Sequence, residues 1–249
     1  MTAVAQSLRD PGPAVVLRPA GFADRTVRWG HCWQVGTAAY WVALTAADVQ
    51  DGRLRRSPGR HRLGGDLAEE IAACLLGGHG LPHQVGLAAF EAVRAEGLLA
   101  RPATAQAIEQ VLRQPLQAGA STVRYRFPAQ RARYLAAALA RLRTQAPPAS
   151  ARALRDWLLG VPGIGPKTAG WIVRNHLGSD EVAVIDIHLL RAGIDASVFD
   201  PSWTPARHYH VLEALFLAWA CQGGVSAADL DAVIWAERAR TPGAYALRR

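Results

Sequence analysis

The feature that most constrains this chain is the stretch at about 153–178, which contains LRDWLLGVPGIGPKTAGWIVRNHLG. Apolar residues recur at helical spacing on both sides of Val161-Pro162-Gly163-Ile164-Gly165, so the stretch reads as helix, tight turn, helix. Gly163 and Gly165 let the backbone come close to a partner, and Pro166 suits the first position of the second helix. The N–H groups of that first turn have no partner within their own helix. They point at whatever lies in front of the turn, which makes an anion site suited to a DNA phosphate. The plain alternative is a helical hairpin that needs two glycines for its own turn.

The second helix carries the only lysine of the chain, Lys167; the other 27 of 28 basic residues are arginine. Arginine supplies charge, phosphate pairing and solubility, but guanidinium stays protonated and cannot attack carbon as a free amine. If the surviving lysine were placed at random among the basic positions, it would fall here about once in 28 times. The position therefore points to a nucleophile.

An acid follows 19 residues later: Asp186 interrupts the apolar run of EVAVIDIHLL. Buried carboxylates are expensive unless paired or hydrogen-bonded. Asp186 can cap a helix starting at Ile187, and a cap also holds a carboxylate at the lip of a cleft. His188 is most simply a satisfied core histidine and otherwise lines a pocket.

Composition removes several classes. With 249 residues and 50% hydrophobic content the chain buries a sizeable core, and a formal charge of +8 suits a polyanionic partner. Its longest apolar stretches, such as Val211 to Cys221, are interrupted and short of the roughly 20 residues a membrane span needs. The opening MTAVAQSLRDPG lacks the pattern of a signal peptide, and a cytoplasmic protein is expected. Three dispersed cysteines, Cys32, Cys74 and Cys221, fit neither a disulfide framework nor a metal site, and they exclude a four-cysteine iron-sulfur cluster within the chain.

Elsewhere the pattern is mostly helical. Helices are predicted at DLAEEIAACLL, LPHQVGLAAFEAVRAEGLL, ATAQAIEQVLR, PAQRARYLAAALARLR and SARALRDWLLG, then after Thr204-Pro205 and after Ser226. Residues 1–62 read as a small β or irregular extension, and 63–249 as the main domain. The basic stretch 51–66, with Arg53, Arg55, Arg56, Arg60 and Arg62, reads as an exposed loop, either solvated or touching phosphate.

VPGIGPKTAG, with Asp186 in VIDIH spaced after it, resembles the signature of the helix-hairpin-helix DNA glycosylase superfamily, in its lysine-bearing branch. FPAQRARYLAAALARL, with Arg131, Arg133 and Tyr134, resembles the corresponding helix of 8-oxoguanine DNA glycosylases. The resemblance covers about 63–240. It implies a mostly α fold of two helical lobes with a cleft between them and the hairpin at its mouth. It also implies a monomer that acts on double-stranded DNA and rotates the target nucleotide out of the helix. Its members commonly hold a monovalent cation on hairpin carbonyls; no other metal or cofactor is expected. The fourth position after the lysine, a cysteine in the eukaryotic 8-oxoguanine enzymes, is Trp171 here, so the base pocket is altered.

On this reading Asp186 stabilises positive charge on the deoxyribose, while Lys167 attacks C1′ and forms a Schiff base that permits β-elimination. Gly163, Gly165, Arg131 and Arg133 contact the DNA backbone. Trp171, His188, Phe216 and Gln222 are pocket candidates, and His79 or Leu81 in the GGHGLP turn is the wedge that fills the vacated stack. Two alternatives stay open: a glycosylase of this fold acting on another lesion or on modified bases of phage DNA, and a non-enzymatic module that only grips DNA.

Overall fold

A computed structural model describes residue 10 and residues 12–53, 61–78 and 80–240. The chain forms two compact units, one from Met1–Pro58 with Asp180–Arg249 and one from Gly59–Ser179. Ten helices and two small two-stranded sheets make up the described residues, and none of these helices alone is long and apolar enough to cross a membrane.

In the first unit, β1 (Ala14–Leu17) pairs antiparallel with β2 (Arg25–Arg28), Val15 opposite Val27. Side chains alternate across the ladder, which turns Leu17 and Val27 inward. Helix α1 (Ala38–Gln50) follows, its first turn capped by the Thr37 hydroxyl accepting from the Tyr40 N–H at 3.2 Å. Here the sequence reading is corrected. AAYWVAL, from Ala38 on, is helical, and residues 14–50 are no appendage: Leu17, Val27, Ala38 and Trp41 share one core with Phe199, Leu212, Phe216 and Trp219 from the far end of the chain. Burial of each such large side chain contributes about 1.5–3 kcal/mol. The apolar spacing of YWVAL carried too little information to choose between strand and helix; the Thr37 cap and the far half of the core decide it.

The same unit contains α8 (Ile187–Asp195), α9 (Pro205–Gly223) and α10 (Ala227–Arg240). α9 is kinked at His208, whose φ of −125° is not helical.

The second unit contains α2 (Leu67–Leu76), α3 (His83–Ala95), α4 (Ala105–Arg113), α5 (Pro128–Thr144), α6 (Ala151–Leu159) and α7 (Pro166–Leu177). Asp66 and Thr104 cap α2 and α4 through their side chains, whereas Ser150 occupies the N-cap of α6 without a side-chain bond. Pro82 sits at the cap of α3, just ahead of its first turn. A hairpin of β3 (Leu116–Ala118) and β4 (Ser121–Val123) separates α4 from α5. Ile71, Leu75, Phe90, Ile108, Leu112, Leu135, Leu158 and Ile172 form its buried interior.

Candidate active site

The hairpin joins α6 to α7. Val161 and Ile164 are buried and pin the turn to the core, with the Ile164 N–H donating to the Val161 carbonyl at 3.1 Å. The two glycines are needed for different reasons. Gly163 has φ +83°, and a Cβ placed on it would lie 2.2 Å from the Tyr134 ring; its close approach is to its own chain. Gly165 has an extended backbone, and a Cβ there would meet nothing within 4 Å. Its carbonyl accepts from the Ala169 N–H at 2.9 Å, which opens α7 with Pro166 in its first turn. The open side of the hairpin is thus the Gly165 side, where the unpaired N–H groups of a helix N-terminus lie.

Lys167 is the second residue of α7 and is half-buried. Its Nζ lies 6.0 Å from the centre of the Trp171 ring, one turn along. Trp171 in turn packs on the end of α2, where a Cβ on Gly77 would stand 3.5 Å from the indole. One further turn along, Asn175 Nδ2 donates to Glu70 Oε1 at 2.8 Å. Lys167, Trp171 and Asn175 therefore form one stripe of α7, spaced by four residues. The fully buried Glu70 also accepts from the backbone N–H groups of Leu63 at 2.9 Å and Gly64 at 3.1 Å. Saturation with donors is what makes a buried carboxylate tolerable. Cys74, one turn from Glu70 on α2, is not an activated thiol. Burial pushes its thiol well above the usual range and the Glu70 carboxylate adds to this, against the pull of Arg174 and Lys167.

The glycine turn after α2 is closed from a second side. The Tyr125 hydroxyl donates to the Leu76 carbonyl at 2.7 Å, and burial raises its pKa, which keeps it a neutral donor. Leu81 is half-buried and bonds back to the Gly78 carbonyl. His79, the other wedge candidate, lies outside the described residues, as do Arg55, Arg56 and Arg60 of the basic loop. Arg133 is exposed on α5, while Arg131 is turned partly inward near Tyr125, its Nε buried without a hydrogen-bond partner among the described residues.

Asp186 belongs to the other unit. It is the N-cap of α8, with Oδ1 accepting from the Leu189 N–H at 2.8 Å. The buried run Val182–Ile185 before it is clamped by α9. Glu213 accepts from the Ala183 N–H at 3.0 Å, and the Tyr209 hydroxyl donates to the Ala183 carbonyl at 2.8 Å and accepts from the Ile185 N–H at 3.3 Å. His188 is half-buried one residue into α8, and Gln222 is exposed near the end of α9. Phe216 is corrected: fully buried with its ring edge-on to Trp219, it is a core side chain rather than a pocket wall.

Sequence reasoning passed over Glu70, Glu213 and Tyr209. The two acids carried a usable signal, since each interrupts an apolar helical run, in DLAEEIAACLL and in VLEALFLAWA. Tyr209 carried none, because its partners lie 24 and 26 residues upstream.

Residues 60–224 match the family model described as 8-oxoguanine DNA glycosylase. Similar folds occur in three crystal structures. The 8-oxoguanine DNA glycosylase of Thermotoga maritima is 19% identical, with a TM-score of 0.57, covering 80% of this chain and 95% of that one. The 8-oxoguanine DNA glycosylase of Methanocaldococcus jannaschii is 22% identical, with a TM-score of 0.58, covering 82% and 94%. The M. jannaschii 8-oxoguanine glycosylase/lyase in complex with a 15mer DNA containing 8-oxoguanine is 21% identical, with a TM-score of 0.54, covering 80% and 90%.

Proposed function

Because the chain belongs to the 8-oxoguanine DNA glycosylase family, we propose that it excises 8-oxoguanine from duplex DNA and then cuts the strand as a lyase. The observation that carries the reading is the position of the sole lysine: it stands in the first turn of α7, next to the open Gly165 and over Trp171.

The Lys167 lone pair attacks C1′ of the deoxyribose. The N-glycosidic electrons leave with the base, which takes up a proton, and Nζ loses one. Positive charge grows on the sugar before the new bond is complete, and the Asp186 carboxylate stabilises it. Opening of the sugar ring leaves an iminium on Nζ. Loss of a C2′ proton then expels the 3′ phosphate, and water releases the lysine. The mechanism requires both groups at one sugar. Phosphates are held by the N-terminus of α7 and by Arg133 and Arg131, with Trp171, His188 and Gln222 meeting the flipped base and Leu81 or His79 entering the vacated stack. The turn Val161–Gly165 bears no anionic side chain, so the cation it would take is a monovalent one on backbone carbonyls.

Trp171 favours a second reading within the same reaction class, a different damaged or modified base, because a large indole stands where the eukaryotic enzymes that the chain resembles place a cysteine. Borohydride trapping tests both readings on duplexes carrying 8-oxoguanine opposite each base, oxidised or modified pyrimidines, or an abasic site. Trapping and excision on 8-oxoguanine above all others is the expected result. Preference for another base selects the second reading, and no covalent adduct on any duplex, the abasic one included, rejects lysine catalysis.

A further inference from the structure

The hairpin is covered from behind by one face of α5. Tyr134 and Arg141 stand seven residues apart, two turns, and so share that face. The half-buried Tyr134 ring occupies the space a side chain at Gly163 would need, with three ring carbons 2.2–2.6 Å from a Cβ built there. Arg141 lies over the Trp157 ring in the last turn of α6, 4.7 Å from its centre, and donates to the Gly160 carbonyl at 3.4 Å. A Cβ on Gly160 would come within 2.9–3.2 Å of the same guanidinium. Two of the three glycines of the hairpin are therefore filled from within the protein, and only Gly165 is left open.

We propose that Tyr134 is a positioning residue for DNA binding: its ring, seated against Gly163 and assisted by Arg141 at Gly160, holds the turn in the pose that aims Gly165 and the first N–H groups of α7 at a backbone phosphate. This rests on the reading of the hairpin as a phosphate site. Its physical basis is angular. Hydrogen bonds weaken steeply as they bend, and backbone N–H groups have no side-chain freedom with which to re-aim. A turn that rocks weakens all of those bonds together, whereas an arginine contact elsewhere adapts. Gly163 gains a second reason to be glycine, since alanine there both strains the positive φ and strikes the Tyr134 ring.

The test is equilibrium binding of the full chain to a duplex with a tetrahydrofuran abasic analogue, which forms no Schiff base, over a salt series. Tyr134→Leu should bind about tenfold more weakly. Its slope of log K against log salt should shrink by no more than about half of the 0.9 that a fully charged contact to one phosphate contributes, because a helix N-terminus carries roughly half an elementary charge. A loss of general stability would leave that slope unchanged in the folded fraction. Tyr134→Phe should restore both affinity and slope, because the ring rather than the hydroxyl meets Gly163. Gly163→Ala should lose less in the Tyr134→Leu background than in the wild type, because the steric clash is gone and only the backbone strain remains. If Tyr134→Leu does not fold, Arg141→Met serves instead, with an expected loss of about threefold. Unchanged binding and slope in Tyr134→Leu would overturn the proposal, as would a Tyr134→Phe loss equal to that of Tyr134→Leu, which would put the hydroxyl on the phosphate. A wild type that binds this duplex yet excises no base would sink the glycosylase reading and leave the brace standing.

Discussion

Lys167 and Asp186 are held in opposite ways. Asp186 is fixed at its own oxygen: Oδ1 receives the Leu189 N–H, and the backbone before it is clamped by Tyr209 and Glu213. Lys167 is fixed only through its helix. Among the described residues no hydrogen bond or ion pair reaches its amine, and the polar anchors of α7 lie two turns away, where Asn175 meets Glu70 and the His176 carbonyl receives Arg62. The difference matches the role proposed for each group. An electrostatic stabiliser works by being in place before charge develops, since any reorganisation is paid from the barrier. A nucleophile that attacks C1′ and stays tethered through ring opening and elimination needs reach.

Lys167→Gln should therefore have the largest effect, abolishing borohydride trapping entirely. Duplex affinity should remain within a few-fold, because one charge among 28 basic residues is a small part of the phosphate term. An adduct that survives the substitution would move the nucleophile elsewhere and end the comparison.

Asp186→Asn comes next. Asparagine keeps the shape and the capping oxygen but not the charge, so single-turnover excision should fall by a factor of about 10²–10³ while the melting temperature stays almost constant. Near-normal excision would reduce Asp186 to a helix cap. A large loss of stability with a proportionate loss of excision would show that the N-cap rather than the charge had been measured.

The supporting shells give smaller effects that differ in kind. Tyr209→Phe leaves the Ala183 carbonyl and the Ile185 N–H without their shared partner, a cost of about 1–3 kcal/mol. At roughly 2–4 °C per kcal/mol for a chain of this size, the melting temperature should fall by several degrees. Asn175→Ala takes a side-chain donor from Glu70 and should cost a similar amount. The two should separate by substrate. Tyr209→Phe disturbs the group proposed to assist base release, so excision should suffer while trapping on a preformed abasic site is spared; Asn175→Ala disturbs the helix of the proposed nucleophile, so both should suffer. Equal losses on both substrates from both variants would erase the distinction between local and remote anchoring.

The two anchoring modes also differ in how far they could be read from sequence. Asp186 as a cap was legible because capping is local: the acceptor and the N–H it receives are three residues apart. The hairpin and α7 were legible for the same reason, through Gly163, Pro166 and the apolar spacing. Contacts across long separations were not. Asn175 lies 105 residues from Glu70, and Trp219 donates to the Ala38 carbonyl across 181. No periodicity encodes either, and for the same reason residues 14–50 read as an extension when they supply part of a core. Phe216 was misplaced because an aromatic at helical spacing looks the same facing a pocket or a neighbouring helix; its contact with Trp219 decides the matter.

The smallest effect concerns pH and only the lysine's helix. Burial and the neighbouring Arg62 guanidinium lower the pKa of His176, against the smaller opposing influence of Glu70 and Asp66. Its Nδ1 is buried without a hydrogen-bond partner among the described residues. A histidine whose folded pKa is depressed binds its proton more tightly in the unfolded chain. Its stabilising effect is therefore complete above the unfolded value of about 6.5 and is lost as pH falls through that value toward the folded one. Protonation would also set the imidazolium against Arg62, which holds the His176 carbonyl at the end of α7. Between pH 7.5 and 5.5 the wild type should lose more thermal stability than His176→Gln, whose side chain does not titrate. If His176→Gln and the wild type lose stability in parallel, the remote anchor of α7 is insensitive to this charge.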